Sequence, residues 1–298
     1  MNYNGLIVVN KKKGIGSTDC VRKVKKVLNQ KKVGHSGTLD FLATGVLVIC
    51  LGKATRLIEY LQKQKKTYIA GMQFGAETDT LDIEGEIIST TKNIVQLEDL
   101  ESKIKNFTGT ITQIPPMYSA LKQNGVRLYD LARAGINVER KSRNVTIYNL
   151  EIVDFDLNKQ NAIIETTVSA GTYIRSLIDD LAKSVDSLAY MESLVRTESC
   201  GFNISEAIDI DNIEKEDLVK SIIPMEVALS NFDKIIVSET EKAKLLNGMT
   251  VPVNIEVIES EVLVMDIYNN ILGIGNLFET TKGKMLKLKK HLYINENN

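Results

Sequence analysis

GHSGTLDFLATGVLVICLGKATRL, residues 34–57, is the stretch on which the reading of the whole chain turns. Its first half, 34–45, is rich in Gly, Ser and Thr, the composition of a tight, backbone-rich loop. VLVICL (46–51) follows, a continuous apolar run that predicts a strand buried on both faces. ATRLIEYLQKQ (54–64) then reads as a helix. His35, Ser36 and Asp40 lie close together in the loop. Three residues crowded into one loop do not make a Ser/His/Asp triad, whose members converge from separate segments. No GxSxG elbow is present either. Taken alone, Asp40 is an Asx-turn residue.

Working outward, LIVV (6–9) predicts a short strand, and Ser17 is the expected N-cap of a helix whose Val21, Val24 and Leu28 recur at helical spacing. Arg22, Lys23, Lys25 and Lys26 decorate the other side of that helix. TYIAGMQFG (67–75) predicts a strand and AETDTLDIEG (76–85) an acidic loop; Leu97, Leu100, Ile104 and Phe107 then mark one face of a helix. IPPMYSA (114–120) cannot be regular structure, because two prolines fix φ and remove two donors. RLYDLARAG (127–135) predicts a short helix stopped by Gly135. NVTIYNLEIVDF and AIIETTVS meet at NKQN as a hairpin, and TYIRSLIDDLAKS (172–184) has a helical apolar face. After about residue 230, short strands surround a single helix, SETEKAKLLNG. Strands and helices interleave without a regular βαβ rhythm, so the expected class is α+β with a mixed sheet.

The 298 residues, 43% hydrophobic and 25% charged, suit a large domain plus a smaller one. No apolar stretch reaches bilayer length and no secretory signal opens the chain, so a cytoplasmic protein is expected. Cys20, Cys50 and Cys200 are odd in number and far apart, which argues against a disulfide framework. Two histidines and no CxxC or HxxxH pair argue against a zinc site, and with it the zinc nucleobase deaminases. GIGST (14–18), GIGN (273–276) and LGKAT (51–55) lack the spacing of a dinucleotide loop or P-loop. The net charge of −1 conceals an asymmetry. Residues 1–66 carry 14 Lys/Arg against 3 Asp/Glu, while 205–280 carry 5 against 15. Solvated lysines explain any single basic run; the distribution as a whole suits a chain that grips a polyanion with part of its surface.

The 34–57 stretch closely resembles the signature of the bacterial tRNA pseudouridine-55 synthases of TruB type, whose loop reads GHTGTLDPLATGVL. The resemblance continues through KTYIAGMQFGAETDTLDIEGEI (66–87), QIPPMYSALKQNGVRLYDLARAG (113–135), VSAGTYIRSLIDDLA (168–182) and ESLVRT (192–197). Phe41 and Lys12 stand where prolines are usual, Asn10 where an aspartate is, and Cys200 where a glycine is common. The resemblance implies a pseudouridine synthase catalytic domain over 1–230 with an RNA-clamping insertion at 113–143. It also implies a small PUA-like RNA-binding domain over 231–298. The implied reaction isomerises uridine 55 in the T-arm of tRNA without metal or cofactor, by a monomer that needs no protein partner and no membrane.

By the same resemblance Asp40 is the catalytic carboxylate, Arg175 the partner whose guanidinium fork is expected to hold it bidentately, and Tyr68 the tyrosine that stacks on the target base and is the candidate to help remove the C5 proton. Tyr173 and Leu194 line the pocket of the extruded base, and His35 fills the space it leaves. Outside the motif, Tyr68, Tyr173 and Leu194 would pass as core residues and Arg175 as a surface ion pair. Lys122, Arg127, Arg133, Arg140, Lys141 and Arg143 make the insertion basic. Two other readings are carried forward: a tRNA-folding chaperone in which modification is secondary, and a guide-RNA-dependent synthase of dyskerin type. Activity of the pure protein on bare transcript separates the guide-dependent reading from a stand-alone enzyme, and a folding assay with an Asp40 variant separates the chaperone.

Overall fold

VLVICL forms the strand Thr44–Leu51, seven of whose eight residues are buried. Val46, Val48 and Cys50 enter one apolar cluster, and Leu47, Ile49 and Leu51 enter another. Two covered faces are what an uninterrupted apolar strand requires. The strand pairs antiparallel with Gly5–Lys11 along its length and parallel with the Ala189–Ser199 strand through Val195 and Arg196. The protein is known here from a computed structural model describing residues 2–211, 213–254, 260–281 and 283–294.

The main sheet runs in the order Ile208–Asp209, Gly5–Lys11, Thr44–Leu51, Ala189–Ser199, Lys66–Phe74, Asn161–Val168, Arg143–Asp156 and Gly109–Gln113. Val33–His35 adds to Thr44–Leu51, and Phe202–Asn203 to Ala189–Ser199. Parallel and antiparallel pairs mix, as expected for this α+β chain. The helix Ser17–Leu28 covers one face with Cys20, Val21, Val24 and Leu28. The helix Ile174–Ser184 covers another with Leu177, Ile178, Leu181 and Ala182. The first of these begins differently from expectation. Gly16 is its N-cap, with its N–H donating to Asp19 Oδ2 at 2.8 Å, and Ser17 is the first helical residue, its hydroxyl used elsewhere.

The C-terminal segment builds a second, five-stranded sheet: Lys234–Val237, Glu261–Asp266, Ile271–Thr280, Gly283–His291 and Val251–Pro252, in that order. It has a core of its own around Val237, Leu245, Val264 and Leu286. Leu263, Met265, Ile271, Ile274 and Leu292 instead join Leu6, Val46, Val48 and Leu57 of the main sheet in one buried cluster. The two sheets are therefore joined by an apolar seam, with Arg56 Nη1 donating to the His291 carbonyl at 2.6 Å at its edge. Residues 295–298, the end of the expected second domain, lie outside the described residues.

Cys200, the residue found where a glycine is common, adopts φ 60°, the left-handed region. A side chain there costs about 1–2 kcal/mol. Its buried Sγ lies 3.4 Å from both Ser36 Oγ and the Leu61 carbonyl, contacts that a glycine could not make.

On the helix Ile174–Ser184, burial first and then the neighbouring Asp179 charge push the Asp180 carboxyl up to about 6. A folded value above the ordinary 3.8 means that its contribution to stability is full at low pH and lost as pH rises through 6. Asp180→Asn is expected to stabilise the fold by on the order of 1 kcal/mol at pH 7.5, a few degrees in Tm, and by less at pH 4.5. Thermal melts at the two pH values check this; an equal shift at both would contradict it.

Candidate active site

The loop between Val33–His35 and Thr44–Leu51 is short on regular structure and rich in backbone groups that need partners. The fold supplies them from two buried cations and one hydroxyl. Arg196, 1% exposed, donates from Nε to the Val46 carbonyl at 2.7 Å and from its two terminal nitrogens to Gly37 and Thr38 at 3.2 and 3.5 Å. Lys11, fully buried, donates from Nζ to the carbonyls of Ile15, Lys12 and Phe41 at 2.8, 3.0 and 3.4 Å. Burial pushes the Lys11 ammonium below its ordinary pKa, with the nearby Cys20 and Asp40 acting against that shift. Ser17 Oγ accepts the Leu39 N–H at 2.8 Å. Gly45 is required by this arrangement, because its φ is +101° and a Cβ would come within 2.3 Å of the Arg196 carbonyl oxygen. Backbone groups from Gly37 to Phe41 are thus pinned, and Asp40 is carried on a rigid arch.

Asp40 points from that arch toward Arg175, with Oδ2 3.2 Å from Nε. The expected two-pronged guanidinium fork on Asp40 is not what the structure contains. Arg175 Nη1 donates to the Thr80 carbonyl at 2.9 Å and Nη2 to the Tyr118 carbonyl at 2.8 Å. Nη1 also faces Asp82 Oδ2 at 3.4 Å. With both terminal nitrogens committed to the acidic loop and the Pro-Pro segment, only the Nε edge is left for Asp40. That contact is close but poorly aligned, so Nε makes no formal hydrogen bond. The Asp40 side chain remains 40% exposed while that of Arg175 is 6% exposed. A carboxylate oriented at one edge and open at the other can still reach a substrate.

Asp82 is a site residue that the sequence reading missed. It is buried, accepts from Thr80 Oγ1 at 2.7 Å and the Glu84 N–H at 3.1 Å, and faces Nη1 of Arg175 while Asp40 faces Nε. Burial raises its pKa, with the Thr80 hydrogen bond and the Arg175 charge acting in the other direction. Nothing in AETDTLDIEG separates it from three neighbouring acids. Arg196 and Lys11 were missed as well; the available signal was a cation in phase with apolar neighbours, as Arg196 is with Leu194.

Tyr68 and Leu194, 8% and 6% exposed, lie on adjacent strands and join Leu39, Leu42 and Ile174 in one cluster beside the arch. Tyr173 caps the helix that carries Arg175, its backbone clamped by Gln113, which receives the Tyr173 N–H at 2.8 Å and donates to its carbonyl at 3.0 Å. The cluster reaches the Asp40–Arg175 pair through chain neighbours, Leu39 preceding Asp40 and Ile174 preceding Arg175. His35 stands at the end of its own short strand, opposite Ile49, with Nδ1 buried and unpartnered. Burial, then the Arg196 charge, lowers its pKa and keeps the imidazole neutral at pH 7. Among the described residues no group of three or more His, Cys, Asp or Glu could hold a metal ion, and no helix is long and apolar enough to cross a membrane.

Residues 25–174 match the model of the TruB family pseudouridylate synthase N-terminal domain, half of the chain. The chain belongs to the TruB family. Its relatives include the tRNA pseudouridine synthase B of Clostridium kluyveri, 39% identical over 291 residues and covering 96% of this chain and 99% of that one. The Clostridium perfringens protein of the same name is 45% identical over 249 residues, 83% of this chain and 84% of that one. Among solved structures, a chain of a Cbf5–Nop10–Gar1 complex superposes with a TM-score of 0.72 at 26% identity, covering 97% of this chain and 84% of that one. A chain of an H/ACA ribonucleoprotein bound to a substrate RNA gives 0.72 at 24%, covering 98% and 86%. This TruB-family pseudouridylate synthase, an isomerase, is built as a mixed α+β catalytic unit with a C-terminal β-rich unit.

Proposed function

We propose that this enzyme isomerises uridine 55 in the T-arm of tRNA, with Asp40 as the carboxylate that acts at C1′. The observation that carries the reading is the half-open Asp40 carboxylate, set on a pinned arch and oriented by an Arg175 whose other donors are already engaged. The reaction breaks the N1–C1′ bond, turns the uracil and joins C5 to C1′. The C5 proton leaves and N1 ends protonated, so no electrons are exchanged. A carboxylate suits this chemistry because it can attack the sugar or stabilise the charge that develops there. Tyr68 is placed to stack on the base and assist proton removal, and Tyr173 and Leu194 to line its pocket. The base must leave a folded arm, at a cost of a few kcal/mol, and His35 is assigned to the vacated stack.

RNA grip in this reading comes from three regions. The 113–143 insertion is tied at its ends, with Arg140 Nη1 on the Pro115 carbonyl at 3.0 Å and Tyr118 Oη on Asp79 at 3.0 Å. Arg127 and Arg133 lie over the Tyr129 ring within it. Lys31, Lys32, Lys53 and Arg56 line a basic pocket of about 390 Å³ at the far end of Thr44–Leu51 from Asp40. Eight residues of strand separate the two, so a ligand touching both spans about 25 Å, which suits an RNA arm and not a nucleotide. We place the domain boundary at 230/231, with 231–298 as a PUA-like RNA-binding unit, and assign a cytoplasmic monomer. Purified protein alone should release tritium from C5-labelled tRNA transcript; a requirement for added RNA would favour the guide-dependent reading.

A further inference from the structure

We propose that Arg143 is a positioning residue of the base pocket: it sets the plane of the Tyr173 ring, and its unpaired charge takes a backbone phosphate of the RNA strand entering the pocket. The inference rests on the proposed function and adds a residue to it. Arg143, the last residue of the insertion, opens the strand Arg143–Asp156 and pairs in register with Gln113, the residue that clamps the Tyr173 backbone. Its guanidinium carbon lies 4.7 Å from the centroid of the Tyr173 ring. It also rests against Gly171, where a Cβ would stand 3.5 Å from the guanidinium carbon, and Nη2 donates to the Gly171 carbonyl. The planar group is therefore held between two fixed neighbours, the Tyr173 ring and the Gly171 backbone, the latter through a hydrogen bond from its edge.

Charge completes the argument. Among the described residues no carboxylate pairs with Arg143; Nε is buried and Nη2 is taken by the Gly171 carbonyl, which leaves Nη1 as the donor that can meet a ligand. A half-buried cation with a donor to spare is an unfinished site, and a phosphate is the planar-fork ligand that finishes it. Stacking and charge are separable, because lysine keeps the charge but cannot replace a flat guanidinium between a backbone and a ring. Through Gln113 and Arg143, the two roots of the insertion both hold Tyr173, so RNA engaged by the insertion is coupled to the geometry of the pocket.

The test compares wild type, Arg143→Ala and Arg143→Lys by single-turnover pseudouridine formation at saturating enzyme and by tRNA-transcript affinity across a salt series. Arg143→Ala is expected to slow the single-turnover rate about tenfold or more and to reduce the slope of log affinity against log salt by about one. Arg143→Lys is expected to restore the slope and leave the rate low. A purely structural residue would lower Tm without this split. Unchanged rate and slope in Arg143→Ala, or a lysine variant that restores both or neither, would overturn the proposal. If wild type forms no pseudouridine at all, the proposed function fails instead, and the Arg143 variants are not what reveals it.

Discussion

Asp40→Asn is expected to abolish pseudouridine formation, by about 10³-fold or more, while tRNA affinity stays within a few-fold of wild type. The substitution preserves shape and removes the charge that acts at C1′. Its structural cost is small. Asp40 is 40% exposed at its side chain, and its only ion-pair contact among the described residues is the single edge of Arg175 at 3.2 Å. Arg175 loses little, because Thr80, Tyr118 and Asp82 still hold it. The arch does not depend on the carboxylate either, since Lys11, Arg196 and Ser17 pin it through backbone atoms. Single-turnover rates and filter binding on the same preparation provide the check. Full turnover by Asp40→Asn would remove Asp40 from the chemistry. A parallel tRNA-folding assay addresses the chaperone reading, which requires that refolding survive the loss of the carboxylate.

Arg196→Met is the opposite kind of experiment, with its largest expected effect on the fold. Three backbone carbonyls, two in the arch (Gly37 and Thr38) and one in the strand that follows it (Val46), lose a donor in a site that is 1% exposed. Leaving a buried acceptor unsatisfied costs about 1–3 kcal/mol each, and water has no open path to replace the guanidinium. The expected loss is about 3–5 kcal/mol, a large share of the 5–15 kcal/mol typical of a folded domain. In a chain of this size that corresponds to a fall of roughly 10 °C in Tm. Activity should fall as well, in the fraction that stays folded, because the arch carrying Asp40 loosens. Thermal melts beside single-turnover rates would show it. A Tm within two or so degrees of wild type would mean that the arch is held by something other than Arg196. The pair of variants therefore separates chemistry from scaffolding: one leaves Tm and removes the rate, the other lowers both.

Much of this architecture was legible before any coordinates. VLVICL read as a strand covered on both faces, which it is, and the apolar spacings of 17–28 and 174–184 matched the faces those helices bury. The Asp40–Arg175 contact, 135 residues apart in the chain, was legible only through the family motif; composition and periodicity carry no information about such a pairing. What the sequence hid was the polar scaffolding. A buried Lys11 or Arg196 satisfied by carbonyls looks in one dimension like any surface cation. Ser17 illustrates the same limit. A serine at a helix start reads as a cap, yet its hydroxyl is spent on Leu39 in a loop 22 residues away, and Gly16 and Asp19 complete the helix terminus instead. The fork geometry expected for Arg175 failed for a related reason: its donors are shared out among Thr80, Tyr118, Asp82 and Asp40, and only the folded arrangement reveals the division.

The most direct test of the central claim is to incubate the purified protein, with nothing added, with an unmodified tRNA transcript and to map pseudouridine by position. The account predicts modification at uridine 55 by wild type, none by Asp40→Asn, and none in a transcript whose uridine 55 is replaced by cytidine. Pseudouridine formed at another position, or formed equally by Asp40→Asn, would contradict it.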